Sequence, residues 1–166
     1  MTFATIYWYR ADHLLSKLIR FVTRSKYSHV AIYVDGKVYE AVGDGLFCWT
    51  DDAADQRVAD AVAFRTIPLD GVVAFNMQRW LDRITDETAT KTHPLLGGYS
   101  VLGFIAAGIG ALTGLRLRLA FGDEYICSGL VATALWRTGI DMPHDPTTMT
   151  PEDLARLFEP YPIEKR

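Results

Sequence analysis

Residues 28–42 read SHVAIYVDGKVYEAV, from Ser28 to Val42. Two apolar runs flank Asp35-Gly36, the residue pair favoured in a two-residue type I′ hairpin turn. Such a turn sets Val34 against Lys37, which places Ala31 opposite Glu40 and His29 opposite Val42. Side chains alternate along a strand, so His29, Ala31, Tyr33, Val38, Glu40 and Val42 share one face. His29 and Glu40 are then diagonal neighbours, about 7–8 Å apart at the backbone and within reach of long side chains. The opposite face carries Val30, Ile32, Val34, Tyr39 and Ala41. A strand that is apolar on both sides is expected at the centre of a sheet. A histidine and a glutamate at its end cost free energy there unless they pair. Two readings follow: a structural ion pair, or a carboxylate that orients an imidazole for chemistry.

Working outward, residues 3–9 (FATIYWY) read as a strand. Residues 12–24 read as a helix, with Asp12 as its cap and Leu14, Leu15, Leu18, Ile19 and Val22 at helical spacing. Further strands are expected near 46–50 and 61–67, and an amphipathic helix over 71–86. Residues 88–98 read as loop, with Pro94 and Gly97-Gly98 as breakers. Residues 127–139 (CSGLVATALWRTG) read as a helix with Leu130, Val131, Ala134 and Leu135 on one face and Gly139 as its C-cap. A last helix is expected over 150–158, with Thr150 as cap, Pro151 at the first helical position and Asp153 at N3. Glu or Gln at N3 would complete a capping box.

The 166 residues are 49% hydrophobic and 22% charged, which suits one globular domain spanning 1–166. A chain of this size buries roughly two-thirds of its unfolded surface, enough for a core without staples. The net charge of −3 offers no basic footprint, so nucleic acid is not an expected partner. The two cysteines, Cys48 and Cys127, match no zinc spacing, and neither a metal nor an organic cofactor is expected. The N-terminus has no basic region followed by an apolar one, so no secretory signal is read. Synthesis in the cytoplasm is expected, with delivery by other means if the substrate lies outside it. Residues 95–115 carry no charge and approach the ~20 apolar residues that span a bilayer. The spacing Gly110-x-x-x-Gly114 is compatible with a membrane helix. A buried central helix preceded by a glycine loop is preferred, because a span there would put the hairpin and Cys127 on opposite sides of a membrane.

Cys127 stands at the start of its expected helix. Free N–H groups and the helix dipole lower a thiol's pKa at that position and can line an oxyanion hole. The competing reading is an inert buried cysteine. Cys48, in GLFCWT, reads as structural. His13, His93 and His144 read as surface or loop residues, Asp35 is explained by the turn, and Asp44 is a weaker rival to Glu40.

The segment SHVAIYVDGKVYEA, followed much later by YICSGLVATALWRTGI, resembles the circularly permuted branch of the NlpC-type papain-like hydrolases, which includes lecithin-retinol-acyltransferase-like proteins. The closing TPEDLARL resembles the Thr-Pro-x-x-Leu helix seen after the cysteine helix in that branch. The resemblance implies an α+β papain-like fold, a small antiparallel sheet packed against a cysteine-bearing helix. It makes Cys127 the nucleophile, His29 the general base and Glu40 its orienting partner. It assigns Ser128 and Tyr125 to the oxyanion and positioning, and Tyr99 to substrate binding. The chain departs from the family at three points: Tyr99-Ser100 replaces Tyr-Asp, Gly129 replaces an acidic residue, and an early Gly-Asp is absent. The expected substrate is a peptide or acyl group. A cell-wall peptide endopeptidase, delivered by a phage tail, lysis or secretion system, is the first reading. A lipid-directed acyl hydrolase or acyltransferase is the second, and a non-catalytic structural member of the fold the third. Partners at a membrane surface or in a phage structure fit these readings, and a transmembrane span is not favoured.

Overall fold

The computed structural model describes residues 2–12, 14–42, 45–89 and 126–163, and in it the hairpin lies inside a larger sheet. The strands are β1 (Thr2–Tyr9), β2 (His29–Val34), β3 (Lys37–Val42), β4 (Gly45–Trp49), β5 (Ala63–Leu69) and β6 (Tyr161–Pro162). They form one antiparallel sheet in the order β4-β3-β2-β1-β5-β6. The hairpin register is the expected one, with Val34 against Lys37, Tyr33 against Val38 and Ile32 against Tyr39. Asp35 (φ 46°) and Gly36 (φ 82°) both take the positive φ that a type I′ turn demands.

The helices are α1 (Leu14–Thr23), α2 (Asp51–Ala59), α3 (Gly71–Ala89), α4 (Cys127–Trp136) and α5 (Pro151–Phe158), with a 3₁₀ turn at Pro146–Thr148. The architecture is α+β. One face of the sheet, through Ile6, Trp8, Val30, Ile32 and Tyr39, packs in one cluster with Met77 and Leu81 of α3 and Leu130, Val131 and Leu135 of α4. The other face, through Tyr9, Ala31 and Val38, packs with Ala54 of α2. Covering on both faces explains why β2 reads apolar on both sides. Every residue of α4 from Cys127 to Leu135 is buried, so this is a core helix rather than a one-sided one.

Several boundaries differ from the sequence reading. Helix α1 begins at Leu14, and the Asp12 carboxylate lies 3.7 Å from Arg20. Of the apolar positions read from its spacing, Ile19 turns inward with Ser16 and Thr23, while Leu14 and Leu18 are exposed; the side chains of Leu15 and Val22 lie outside those described. Helix α4 ends at Trp136, three residues early, and Gly139 (φ 91°) carries the left-handed turn that follows. At α5, Asp153 does what a glutamate was expected to do. It accepts from the Thr150 N–H at 2.9 Å, and its own N–H donates to Thr150 Oγ1 at 3.1 Å, completing the capping box. Helix α2 and strand β6 carry no signal in the sequence reading. The uncharged stretch 95–115 and the loop with Pro94 and Gly97-Gly98 lie outside the described residues.

Candidate active site

The first turn of α4 meets the first residues of β2. Ile126 is extended (φ −79°, ψ 154°), and the helix begins at Cys127, which is 3% exposed. The sulfur takes hydrogen bonds from the backbone N–H groups of Val30 on β2 and Ser128 on α4, and it bonds the His29 side chain. A helix start thus brings to the hairpin a residue 98 positions away in the sequence.

On its other side, His29 Nε2 lies 2.6 Å from Glu40 Oε2, the diagonal pair that the hairpin register implies. With Nε2 committed to the carboxylate, Nδ1 is the ring nitrogen left for the thiol. Glu40 is wholly buried. Its Oε1 also accepts from Trp49 Nε1, and Arg57 Nη2 donates to both carboxylate oxygens. Trp49 sits across from Val38 in the β3–β4 ladder, on the Glu40 face, and Arg57 descends from α2. The guanidinium lies 5.6 Å from the Tyr9 ring and 5.8 Å from the Trp49 ring. The Tyr9 ring is in turn 5.4 Å from the His29 ring. A buried carboxylate is tolerable only with such a set of donors.

The charges reinforce one another. Burial resists protonation of His29, but the Cys127 sulfur and the Glu40 carboxylate outweigh it and push the imidazole up to about 9. Burial also resists ionisation of Cys127. The facing imidazole and the Val30 and Ser128 N–H groups overcome that and hold the thiol below its ordinary range. Burial would raise Glu40 too, yet its bonds to His29 and Arg57 bring it down to about 2. The three shifts together favour a thiolate beside an imidazolium that is held by a carboxylate.

The remaining candidates fall as follows. Ser128 contributes its backbone to Cys127, while its hydroxyl donates to the Met149 carbonyl at 2.6 Å and so ties α4 to the chain before α5. Tyr99, Tyr125, Asp44, His13 and His93 lie outside the described residues. Cys48 projects to the opposite face of β4, near Tyr39 and Lys37, where burial raises its thiol. His144 is exposed. Gly129, where the family resemblance leads one to expect an acid, has no space for a side chain. A Cβ there would sit 2.9 Å from the Thr147 carbonyl oxygen.

Trp49 and Arg57 were missed by sequence reasoning. The aromatic at the end of β4 was a weak signal, since it identifies a face only once the β3–β4 register is known. Arg57 lies on a helix that hydrophobic periodicity does not reveal.

A cavity of about 10 Å³ adjoins Cys127, walled by Ile19 and Thr23 of α1, Ser28, and Thr150 and Pro151 at the start of α5. It has room for about one water. The Trp8 indole N–H bonds the Pro151 carbonyl at 3.3 Å and anchors that wall to the sheet. Among the described residues no cluster of three or more His, Cys, Asp or Glu is placed to hold a metal ion, and no helix is long and apolar enough to cross a membrane. Compared with known proteins, the chain matches no family model and no curated protein sequence.

Proposed function

We propose that the chain is a cysteine-nucleophile hydrolase built on a permuted papain-like fold, with Cys127, His29 and Glu40 as its catalytic residues. One observation carries this reading: His29 is bonded at once to the Cys127 sulfur and to a buried carboxylate. The order His29, Glu40, Cys127 and the antiparallel sheet packed on the cysteine helix support the papain-like assignment.

In the proposed reaction the Cys127 thiolate attacks an amide or ester carbonyl carbon. The C–S bond forms as the carbonyl π electrons move to oxygen, and N–H groups of the first turn of α4 receive that oxyanion. The tetrahedral centre collapses, the bond to the leaving group breaks, and the imidazolium of His29 protonates the departing nitrogen or oxygen. A water, deprotonated by His29, then attacks the thioester carbon, the C–S bond breaks to release the acid, and the thiolate beside the imidazolium is restored. Glu40 keeps the ring oriented and its charge balanced throughout. Arg57 and Trp49 act one step back, as positioning residues that hold Glu40.

A cell-wall peptide bond is the first substrate reading, and it rests on the resemblance. A lipid-directed acyl hydrolase is the second, and one specific observation favours it: α1, which walls the cavity at Cys127, exposes Leu14, Leu18 and Phe21. The deciding experiment incubates the protein with purified peptidoglycan and with phospholipid vesicles, using Cys127→Ala as control. New peptide termini support the first reading and free fatty acid the second. A thiol probe that labels Cys127 and Cys48 equally at neutral pH would refute the catalytic site itself and leave a structural role.

A further inference from the structure

Helix α1 turns three large apolar side chains outward. Leu14 is 84% exposed, Leu18 53% and Phe21 79%, while Ser16, Ile19 and Thr23 are buried. Residues 14, 18 and 21 are spaced four and three apart, so the three large side chains form one outward stripe. Cations border it. Arg10, Lys17, Arg24 and Lys26 are all exposed. Residues 10–26 hold five Lys or Arg against one carboxylate, in a chain whose net charge is −3. That carboxylate, Asp12, faces Arg20, the most buried of the five. The local charge therefore opposes the global one and surrounds an apolar stripe.

A second copy of the chain is a poor occupant for this face. A stable dimer buries about 800 Å² per partner, well beyond what three side chains on one helix of about 15 Å provide. A short helix with leucine and phenylalanine on one side and Lys and Arg beside them suits the plane of a lipid surface. We propose that α1 docks on an anionic bilayer. Leu14, Leu18 and Phe21 enter the boundary between headgroups and acyl chains, and Lys17 and Arg24 meet the phosphates.

The position of α1 gives this docking a purpose. Its inner residues Ile19 and Thr23 wall the cavity at Cys127, so the bilayer surface lies about one helix diameter from the sulfur. Among the described residues the cavity holds about one water, so a wall must yield to admit a substrate past them. Helix α1 is the wall with an apolar outer face, and lipid is the solvent that would draw it away. The substrate class that follows is a membrane amphiphile whose acyl carbonyl sits near the headgroups. That last step rests on the proposed cysteine chemistry, whereas the docking does not.

The experiment is flotation of the full chain with vesicles of phosphatidylcholine, with and without phosphatidylserine, for the wild type and Cys127→Ala. Both proteins are expected to float with the anionic vesicles and to release at high salt. Leu18→Glu with Phe21→Glu should abolish binding, and Lys17→Gln or Arg24→Gln should each weaken it about fivefold. Absence of binding to anionic vesicles, or binding indifferent to Leu18→Glu with Phe21→Glu, would overturn the proposal. So would a dimer in sedimentation that the same double substitution dissolves. A fall in melting temperature as large as a core substitution causes would show that the stripe is covered within the folded chain, and would also overturn it. If vesicles bind but Cys127 cleaves neither lipid nor peptide, the docking stands and the enzymatic reading fails.

Discussion

Replacing Arg57 by Gln removes the guanidinium that bonds both oxygens of Glu40. The carboxylate is 0% exposed and the Arg57 side chain 30%. Removing one partner of a fully buried pair costs about 3–5 kcal/mol, because the other charge is left uncompensated. Here the His29 and Trp49 bonds to Glu40 survive, and Arg57 is partly solvated, so about 2–3 kcal/mol is expected. The loss includes the packing of the guanidinium against Tyr9 and Trp49. Urea unfolding at neutral pH measures it. Arg57→Lys should lie between, since it keeps the charge and loses the planar fork that spans two oxygens. In a cycle with Glu40→Gln, the two substitutions should be coupled by about 1–2 kcal/mol, because the double variant buries no unpaired charge. Without Arg57 the Glu40 charge falls more heavily on His29, so the imidazolium holds its proton more tightly and gives it up to a leaving group more slowly. Turnover should therefore fall while Cys127 labelling at neutral pH persists. A cost under about 0.5 kcal/mol, additive with Glu40→Gln, is what a surface pair shows, and it would refute the clamp.

Three further outcomes are expected. Cys127, held below its ordinary range by His29, should react with iodoacetamide faster than Cys48 at neutral pH, and activity should fall on the alkaline side as His29 loses its proton near 9; in Glu40→Gln that limb should move to lower pH. Glu40 titrates at about 2 against an ordinary 4.5. Its contribution of about 3 kcal/mol is thus present above pH 4.5 and lost as pH falls toward 2, so the stabilities of wild type and Glu40→Gln should differ most above pH 4.5 and converge in that window. Gly129→Ala sets a gain in helix propensity of about 1 kcal/mol against overpacking of about 1–3 kcal/mol. The Thr147 carbonyl lies 2.9 Å from the added Cβ and is backbone, so overpacking should win; a raised melting temperature would show otherwise.

The half of the site on the hairpin was legible because its geometry is local. Asp35-Gly36 fixes the turn, the turn fixes the register, and the register puts Glu40 beside His29. Cys127 was legible as the first residue of a helix, but no pattern within the sequence brings that helix to β2. The contact depends on α4 being buried on all sides, which a single apolar face does not convey. Arg57 was illegible for the opposite reason. Helix α2 (DDAADQRVA) buries only Ala54 along its length, so no apolar stripe announces the helix that delivers the guanidinium. Helix α1 was legible in part: Ile19 of its apolar set faces the cavity with Thr23, but Leu14 and Leu18 face outward, as does Phe21. Periodicity identifies a helix, and does not say which side of it a protein keeps wet.

The distance in sequence between His29 and Cys127 bears on how the chain matures. The hairpin closes through neighbours a few residues apart, and such elements form in about 1–10 µs. The sulfur meets the imidazole only across most of the chain, and contacts of that separation are the slow ones. Until α4 seats against β2, Cys127 lacks both the imidazole and the Val30 N–H that favour its thiolate, and it is an ordinary thiol. An emerging chain therefore carries no activated sulfur to attack its neighbours or itself. Reactivity is a property of the finished tertiary structure, and the rate at which a refolding chain acquires iodoacetamide sensitivity at Cys127 should follow the last folding phase rather than the appearance of the sheet.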